Sequence, residues 1–367
     1  MASRRDITFG GAALLASGIV GGPARAVGSH RGVSDGPLMT TPRATHVAVA
    51  RPDGGVLCIG GFSSEGRALA TTDLFDPRSR AFVAGPELRR SRIQPIAVRI
   101  ADDRVLVVGG EWDREVSTAE ICEPGSGFRH LADLTDRRTA GALALLHDGR
   151  VLICGGSRPG YRMTASAELL DPATGKSVPV GPMLTERAGH TATTLADGRV
   201  LVAGGGEGDE VLASTEIFDP RSESFSAGPD LAAARLKHSA GRLADGRILI
   251  VGGQGADTDV SRGRLAACEL YDGQVVTVGA AMAASRYKLE GGIAIFPDGR
   301  LIVASGAAFA EVLADGAFQR LDGNFDASRE FMTATAISSD EALIAGGYDQ
   351  DIRTTRRTWF ASLATST

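Results

Sequence analysis

Short apolar runs separated by turn-forming residues dominate the chain. Residues 185–205, TERAGHTATTLADGRVLVAGG, show the pattern: an alternating apolar run, an Asp-Gly turn, a β-branched apolar run and a double glycine. Asp-Gly favours the positive φ angles of a tight hairpin. The pattern therefore predicts two antiparallel strands joined by this turn.

The same pattern occurs seven times. Each copy begins with an arginine, and successive arginines lie 43 to 51 residues apart: Arg43, Arg92, Arg138, Arg187, Arg235, Arg286 and Arg329. A period in the forties that contains strands and turns is typical of a β-propeller rather than of a helical solenoid. Each copy also contains a third predicted strand ended by Asp-Pro or Glu-Pro, as in STEIFDP from Ser214, and a short fourth strand.

The ends of the chain predict how the ring closes. The seventh copy stops after its third strand near Leu363, and the segment from Ser29 carries a fourth-strand ending before the first arginine. Pairing these two segments would cover both open sheet edges. We therefore predict an all-β fold, a seven-bladed propeller closed by an N-terminal strand, and expect deletion of residues 29–38 to destabilise the ring.

The motifs resemble kelch repeats over nearly the whole chain after the N-terminal segment. The resemblance rests on the double glycines, the Arg-x-x-His or Arg-x-x-Gly entry and the acid-x-x-Asp-Pro third strand. Phenylalanine stands where a fourth-strand Trp is typical, and the sixth and seventh copies are irregular. The resemblance implies a kelch-type propeller with a ligand or partner site on the face of the arginines. It extends distantly to periplasmic sialate mutarotases, which have six blades.

The N-terminus predicts export. Residues 1–26 contain paired arginines, a mildly apolar core and small residues near position 26, and they resemble a twin-arginine signal peptide. We expect residues 27–367 to form one domain, periplasmic or secreted, without a transmembrane segment once the signal is removed. The four cysteines fit no zinc or CxxC spacing and are predicted to be buried free thiols.

Composition and charge narrow the partner class. The net charge of −5 argues against nucleic-acid binding. Seven arginines around one mouth of the channel instead predict an anionic ligand: a small molecule, a glycan or an acidic peptide. The alternative is that these arginines pair with third-strand acids, namely Asp73, Glu120, Glu168, Glu216, Glu269 and Glu311. No third-strand acid is present in the seventh copy, so Arg329 is predicted to be the arginine with a free guanidinium.

Loops after the double glycines carry further candidates for ligand binding. We predict contributions from Trp112, Tyr161 and Tyr348, since aromatic rings beside arginines suit a sugar acid or an acidic peptide. Three histidines, His46, His190 and His238, each follow the repeated arginine of their copy by three positions. A histidine that recurs at one position of a repeat favours a packing role over a catalytic one.

Catalytic candidates come from residues that break the repeat. Lys288 and Glu290 depart from the small or apolar residues of the other copies, and Glu290 is the candidate general acid or base. Strand alternation would put these two side chains on one face and Tyr287 on the other.

Neither metal nor cofactor is predicted. Clustered histidines and carboxylates at metal-ligand spacing are absent from the sequence, as is the Tyr-His pair of kelch copper oxidases. Two hypotheses remain: an exported enzyme acting on an anionic sugar, as a mutarotase, epimerase or uronate lyase, or a non-catalytic propeller that binds an acidic peptide, glycan or envelope protein. A homo-oligomer is compatible with both.

Overall fold

The computed structural model describes residues 31–110, 118–158, 160, 162–207, 209–257, 259 and 262–364. The predicted signal peptide, Trp112 and Tyr161 lie outside these residues. The regular secondary structure of the described part consists of seven antiparallel sheets of four strands each, two two-stranded loop hairpins and one short 3-10 turn at Ala101–Asp103. The predicted all-β, seven-bladed propeller is confirmed.

Seven blades follow one another along the chain, and their strands are numbered in chain order after β1 (Gly32–Asp35). Blade one contains β2 (Val47–Ala50), β3 (Val56–Ile59), β4 (Thr72–Asp76) and β5 (Ala81–Ala84). Blade two contains β6 (Ile96–Arg99), β7 (Val105–Val108), β8 (Thr118–Cys122) and β9 (Phe128–Asp133). Blade three contains β10 (Ala142–Leu145), β11 (Val151–Cys154), β14 (Ala167–Asp171) and β15 (Lys176–Pro179), with a loop hairpin of β12 (Ser157–Arg158) and β13 (Arg162–Met163).

The remaining blades follow the same order. Blade four contains β16 (Thr191–Thr194), β17 (Val200–Ala203), β20 (Thr215–Asp219) and β21 (Ser224–Ala227), with a loop hairpin of β18 (Gly206–Glu207) and β19 (Glu210–Val211). Blade five contains β22 (Ser239–Arg242), β23 (Ile248–Val251), β24 (Cys268–Tyr271) and β25 (Val276–Val278). Blade six contains β26 (Ile293–Ile295), β27 (Leu301–Val303), β28 (Glu311–Ala314) and β29 (Ala317–Arg320). Blade seven contains β30 (Thr333–Ala336), β31 (Glu341–Ala345) and β32 (Thr358–Ser362).

Strand β1 completes blade seven, as the sequence predicted. It pairs antiparallel with β32 in the register Gly32 to Ser362 and Asp35 to Trp359. The first and last strands of the described chain are thereby hydrogen-bonded neighbours. The pairing leaves blade seven with the same four strands as the other blades.

The hydrophobic core is divided among the blade interfaces. Seven clusters of buried side chains occur, and each joins two neighbouring blades, including blades seven and one. All four cysteines are buried free thiols, which confirms the prediction. Burial raises the pKa of Cys58, Cys154 and Cys268 to about 12, so these thiols stay protonated and unreactive at neutral pH.

A ring of residues with positive φ surrounds the channel mouth. In every blade the residue two positions after the repeated arginine has a φ between 49° and 64°, and we call these the ring residues: Thr45, Gln94, Ala140, Gly189, Lys237, Lys288 and Phe331. Backbone hydrogen bonds link successive blades here, as from Lys237 N to Gly189 O at 2.8 Å. Six non-glycine residues in this region indicate a conformation that the closed ring imposes.

Blade six departs from this entry geometry. Arg187 precedes the turn residue Asp197 by ten positions, whereas Arg286 precedes Asp298 by twelve. The two extra residues form a turn in which Gly292 N donates to Leu289 O at 2.7 Å, and β26 begins only afterwards. The segment is therefore not a strand, and the prediction from strand alternation about the faces of Lys288, Glu290 and Tyr287 is wrong.

Candidate functional site

The repeated arginine holds each blade entry in place. In blade four, Arg187 Nη1 donates to Gly204 O at 2.7 Å and Arg187 Nη2 to Glu216 Oε1 at 2.8 Å. The Glu216 carboxylate also accepts from Leu184 N at 2.7 Å and Thr185 N at 3.1 Å. Both side chains are almost fully buried, at 0% and 2% exposure. The pair thus ties the segment that enters the blade to the second and third strands.

The same pair occurs in five other blades. Each arginine contacts the third-strand acid predicted for it: Arg43–Asp73, Arg92–Glu120, Arg138–Glu168, Arg235–Glu269 and Arg286–Glu311. All of these side chains are buried. The structure therefore shows the second of the two predicted arrangements, in which the arginines form ion pairs with third-strand acids. In the conformation described, these six arginines do not offer a guanidinium to a ligand from solvent, contrary to the ligand-binding hypothesis.

Arg329 in blade seven also has an acidic partner. Its Nε and Nη2 donate to Asp326 at 2.8 and 2.9 Å, so the prediction of a free guanidinium is wrong. The third-strand position that carries Glu216 opposite Val202 in blade four carries Trp359 opposite Ile344 in blade seven. The carboxylate that pairs with Arg329 belongs instead to Asp326, three residues before the arginine, so a search of the third strands does not find it.

A cavity of about 70 Å³ lies on the propeller axis just inside the ring residues. It is lined by the first residues of the inner strands and by His46, His190, His238, Glu290 and Phe331. By volume it holds roughly five water molecules, or a fragment of a few non-hydrogen atoms. Only one end of a larger ligand would therefore enter it, with the rest of the ligand in the mouth.

The three axial histidines are uncharged. Burial, together with the nearby arginines, lowers the pKa of His46 and of His238 to about 3 and that of His190 well below its usual value. His46 Nε2 lies 3.0 Å from Thr333 Oγ1 of the neighbouring blade, and His238 Nε2 lies 2.9 Å from Thr191 Oγ1. Their positions agree with the packing role predicted from the repeats. Each Nδ1, however, has no hydrogen-bond partner in the described structure.

Glu290 is placed in the cavity by the inserted turn of blade six. Its Oε2 is buried and lacks a hydrogen-bond partner among the described residues. Burial raises the pKa of Glu290 to about 7, against the attraction of Lys237 and Lys288. A carboxyl group with this pKa exists in both protonation states at neutral pH, which is what general acid–base chemistry requires.

Lys288, two residues before Glu290 in the chain, belongs to a polar cluster. Lys288 Nζ contacts Glu330 Oε2 at 2.7 Å and Tyr348 Oη at 2.6 Å. Arg264 Nη2 donates to the other Glu330 oxygen at 2.8 Å. Burial alone would lower the pKa of Lys288, but these hydrogen bonds outweigh it and raise the pKa, which keeps the amine charged. Lys288 thus serves as a fixed cation rather than as a base.

An aromatic surface adjoins this cluster. The Tyr348 ring lies 5.9 Å from both Phe62 and Phe331, centroid to centroid. Tyr287 lies between two amines, with Lys288 Nζ at 5.1 Å and Lys237 Nζ at 5.7 Å from its ring centroid. Of the three aromatic candidates, Tyr348 alone lies within the described residues, and it is at the mouth.

Lys237, a ring residue of blade five, was missed by the sequence analysis. It is partly exposed and forms no ion pair within 4 Å in the part of the chain that the structure describes. The sequence could have indicated Lys237, because it follows Arg235 by two positions just as Lys288 follows Arg286. A second missed residue is Ser305, whose hydroxyl donates to Lys288 O at 3.0 Å and supports the inserted turn.

Comparisons with known proteins show the fold alone. No protein-family model matches the chain, and no curated protein matches its sequence. Among solved structures, a fungal alcohol oxidase with catalytic diversity among the AA5 family, in complex with copper, is similar with a TM-score of 0.70. The match covers 91% of this chain and 76% of that chain at 17% identity. The property the two share is the propeller architecture.

The residues here do not fit a copper centre. Within the described ranges, no group of three His, Cys, Asp or Glu side chains is placed to hold a metal ion. His46 and His238 direct Nε2 to threonines of neighbouring blades, and His190 directs Nε2 to Cys154 Sγ at 3.7 Å. The similarity in fold therefore does not extend to the donor set.

Proposed function

We propose that this chain is an exported acid–base enzyme acting on an anionic sugar, most simply a mutarotase or epimerase of a sugar acid. The observation that carries the proposal is Glu290, a carboxyl group with a pKa of about 7 in the axial cavity, on a turn that no other blade contains. The resemblance to exported kelch propellers and the twin-arginine-like segment at residues 1–26 support the compartment and the substrate class.

For a mutarotase, the proposed reaction is opening and reclosure of the sugar ring, which exchanges the two anomers. Ionised Glu290 removes the proton of the anomeric hydroxyl, and the electron pair forms the carbonyl as the bond from the anomeric carbon to the ring oxygen breaks. The ring oxygen takes up a proton, from protonated Glu290 or through water in the cavity. Rotation about the adjacent carbon–carbon bond and the reverse steps give the other anomer. No atom is gained or lost, so a single group with a pKa near neutrality suffices.

Lys237 and Lys288 supply the positive charge for an anionic substrate. Lys237 lacks an ion-pair partner in the described structure and affects the pKa of Glu290, which places the two charges near each other. Lys288 is held by Glu330 and Tyr348, so its position is fixed before a ligand arrives. We propose that Lys237 binds the carboxylate and that Tyr348 contacts a sugar face.

Anomer exchange tests the proposal directly. Sialic acid and uronic acids are followed by NMR exchange spectroscopy with the purified protein, and Glu290→Gln is compared with the exposed-site control Glu207→Gln. We expect accelerated exchange that falls at least about 100-fold in Glu290→Gln and is unchanged in the control. Absorbance of an unsaturated product from uronate oligosaccharides would instead indicate a lyase. Exchange equal in Glu290→Gln and wild type would refute the role of Glu290.

A non-catalytic propeller that binds an acidic peptide or glycan is the second candidate. It is favoured by the ion pair of Lys288 with Glu330, because a paired amine is held as a fixed surface charge and does not transfer a proton. A ligand-induced rise in melting temperature without turnover of any sugar, retained in Glu290→Gln, would select this function.

A further inference from the structure

A second cavity lies between blades one and two, at the opposite end of the strands from the repeated arginines. It has a volume of about 390 Å³ and is bordered by residues of the β2–β3, β6–β7 and β8–β9 turns. Its apolar wall includes Leu57 and Leu74 from blade one and Val105 and Cys122 from blade two. A volume of this size falls in the range of small-molecule sites in proteins.

The other blades show what fills this space when the repeat is complete. Cys122 lies opposite the first residue of the second strand, as Phe218 does in blade four. Five blades have a large side chain at this position: Phe75, Leu170, Phe218, Tyr271 and Leu313. In blade seven the residue is Ala361, and Phe325 and Leu363 belong to the same buried cluster. In blade two a thiol therefore takes the place of a larger apolar side chain, and the cavity lies beside it.

A side chain that covers other blade interfaces is also missing here. Arg150 follows the turn glycine of blade three, and its Nη1 donates to Glu223 Oε1 of blade four at 2.6 Å. Blade seven has Glu341 at the same position, and Arg80 Nη1 of blade one donates to its Oε2 at 2.9 Å. Blade one has Gly55 where blade three has Arg150. Nothing beyond the backbone can therefore reach across the cavity from this position.

The chemistry of the cavity favours an uncharged aromatic guest. Its charged lining residues are paired within the protein, with N–O distances of 2.9 to 3.6 Å: Arg51–Asp53, Asp103–Arg99 and Glu123–Arg129. Phe128 lies opposite Cys122 just as Phe225 lies opposite Phe218, and the Phe218 and Phe225 ring centroids are 4.9 Å apart. Cys122 supplies no ring to Phe128, so a guest ring would restore the aromatic pair.

We propose that the cavity between blades one and two is a binding site for an uncharged aromatic compound, whose ring takes the place that the Phe218 ring has in blade four. The volume exceeds that of one ring and leaves room for a fused second ring or for substituents. The site shares no lining residue with the axial cavity that contains Glu290. The proposal therefore goes beyond the proposed function and does not depend on it.

Phenol is the probe for this site, and cyclohexanol, a saturated six-membered ring with the same hydroxyl group, is its control. Binding to the wild-type protein is followed by methyl NMR, and NOEs from the bound ring to the methyl groups of Leu57, Leu74 and Val105 locate it. We expect saturable phenol shifts of these methyl groups with a Kd on the order of 1 mM. Cyclohexanol should bind about 2- to 10-fold more weakly, because it lacks the aromatic contact. Absence of these phenol shifts, or cyclohexanol binding as tight as that of phenol, would overturn the proposal.

Filling the cavity tests the same assignment by mutation. Cys122→Phe gives blade two the side chain of blade four, and we expect the phenol Kd to rise at least about tenfold. Cys122→Ala, the matched control, removes the thiol without filling the space and should leave the Kd within about twofold of wild type. Circular dichroism and thermal melting check that both variants fold. Should Cys122→Phe not fold, Cys122→Leu introduces the smaller residue of blade three. Unchanged phenol binding in the filled variant would contradict the assignment.

This proposal and the proposed function fail separately. Phenol binding should be retained in Glu290→Gln, and any anomer exchange should be retained in Cys122→Phe, because the two cavities are lined by different residues. Loss of phenol binding in Glu290→Gln would place the phenol in the axial cavity and overturn the assignment. Phenol binding without anomer exchange of any sugar acid would refute the proposed function and leave the aromatic site.

Discussion

The entries to blades four and six begin alike and end differently. Arg187 and Arg286 are both fully buried and both bind a third-strand glutamate. Four residues after Arg187 the chain enters β16, and the side chain of His190 packs against blade three. After Arg286 the chain first forms the inserted turn and presents Glu290 to the axis.

This difference distinguishes residues that stabilise every blade, the arginine–acid pairs, from a residue that occurs in one blade only, Glu290. The arginine–acid pairs recur in blades one to six because each of these blades needs the same connection between its entry and its third strand, as made by the terminal nitrogens of Arg187. Glu290 occurs once, and its buried oxygen has no partner in the described structure. In a ring of similar units, a strained or unsatisfied group at one position therefore points to a site rather than to the fold.

The largest effect is expected from breaking an arginine–acid pair. Arg187→Met leaves Glu216 buried without its counter-charge, which should lower the free energy of unfolding by about 3–5 kcal/mol. Arg329→Met should lower it by less than about 2 kcal/mol, because Asp326 is 25% exposed and can be hydrated. Urea denaturation of both variants measures the difference. Equal losses would show that the two arginines are not distinguished by burial of their partners.

A smaller, pH-dependent effect is expected at Glu290. Its pKa of about 7 in the folded protein exceeds the unfolded value of 4.5, so the protonated form stabilises the fold below about pH 4.5. That stability is lost as pH rises through 7, by about 3 kcal/mol. Lys237, Lys288 and Glu330 are the charged groups that act on it. The free energy of unfolding of wild type minus that of Glu290→Gln, measured by denaturation, should therefore decrease as pH rises from 4 to 8. A difference that stays constant over this range would contradict the assignment.

Removing the two-residue insertion of blade six tests whether it causes the difference from blade four. Deletion of Glu290 and Gly291 restores the ten-residue spacing of blade four between arginine and turn. We expect a folded propeller with an unfolding free energy within about 2 kcal/mol of wild type, because the arginine pair and inner strand of blade six remain. Anomer exchange should be abolished. A variant that fails to fold, by circular dichroism and thermal melting, would show that the turn is structural.

The ring residues give the smallest effects. Gly189→Ala should cost about 1–2 kcal/mol, because a Cβ atom at its φ of 64° is strained and would lie 3.3 Å from Lys237 Cγ. Ala140→Gly should be neutral or stabilise by up to about 1 kcal/mol, since relief of the same strain is offset by chain entropy. Thermal unfolding of both variants checks the opposite signs. Destabilisation by Ala140→Gly comparable to that of Gly189→Ala would exclude strain as the cause.

Repeated residues were the predictable part of the site. The partner of each arginine in blades one to six follows from register, because each third-strand acid lies opposite a fixed position of the second strand. Asp326 could not be found this way, since it substitutes for a strand residue from a loop. The roles of Lys237 and Ser305 depend on the inserted turn of blade six and on its contacts with the neighbouring blades, and that information lies in no single repeat.

The sequence by itself determined the all-β class, the seven blades, their punctuation and the closing strand, because period-two alternation and turn chemistry are local properties that recur in every unit. It also singled out Glu290 as a residue that repetition does not explain. Only the tertiary structure decided that the arginines are buried in ion pairs, that Arg329 has a partner, and that three neutral histidines and Glu290 share one cavity. Burial, pKa and unpartnered atoms depend on groups brought together from different blades, and the ring closure alone sets those distances.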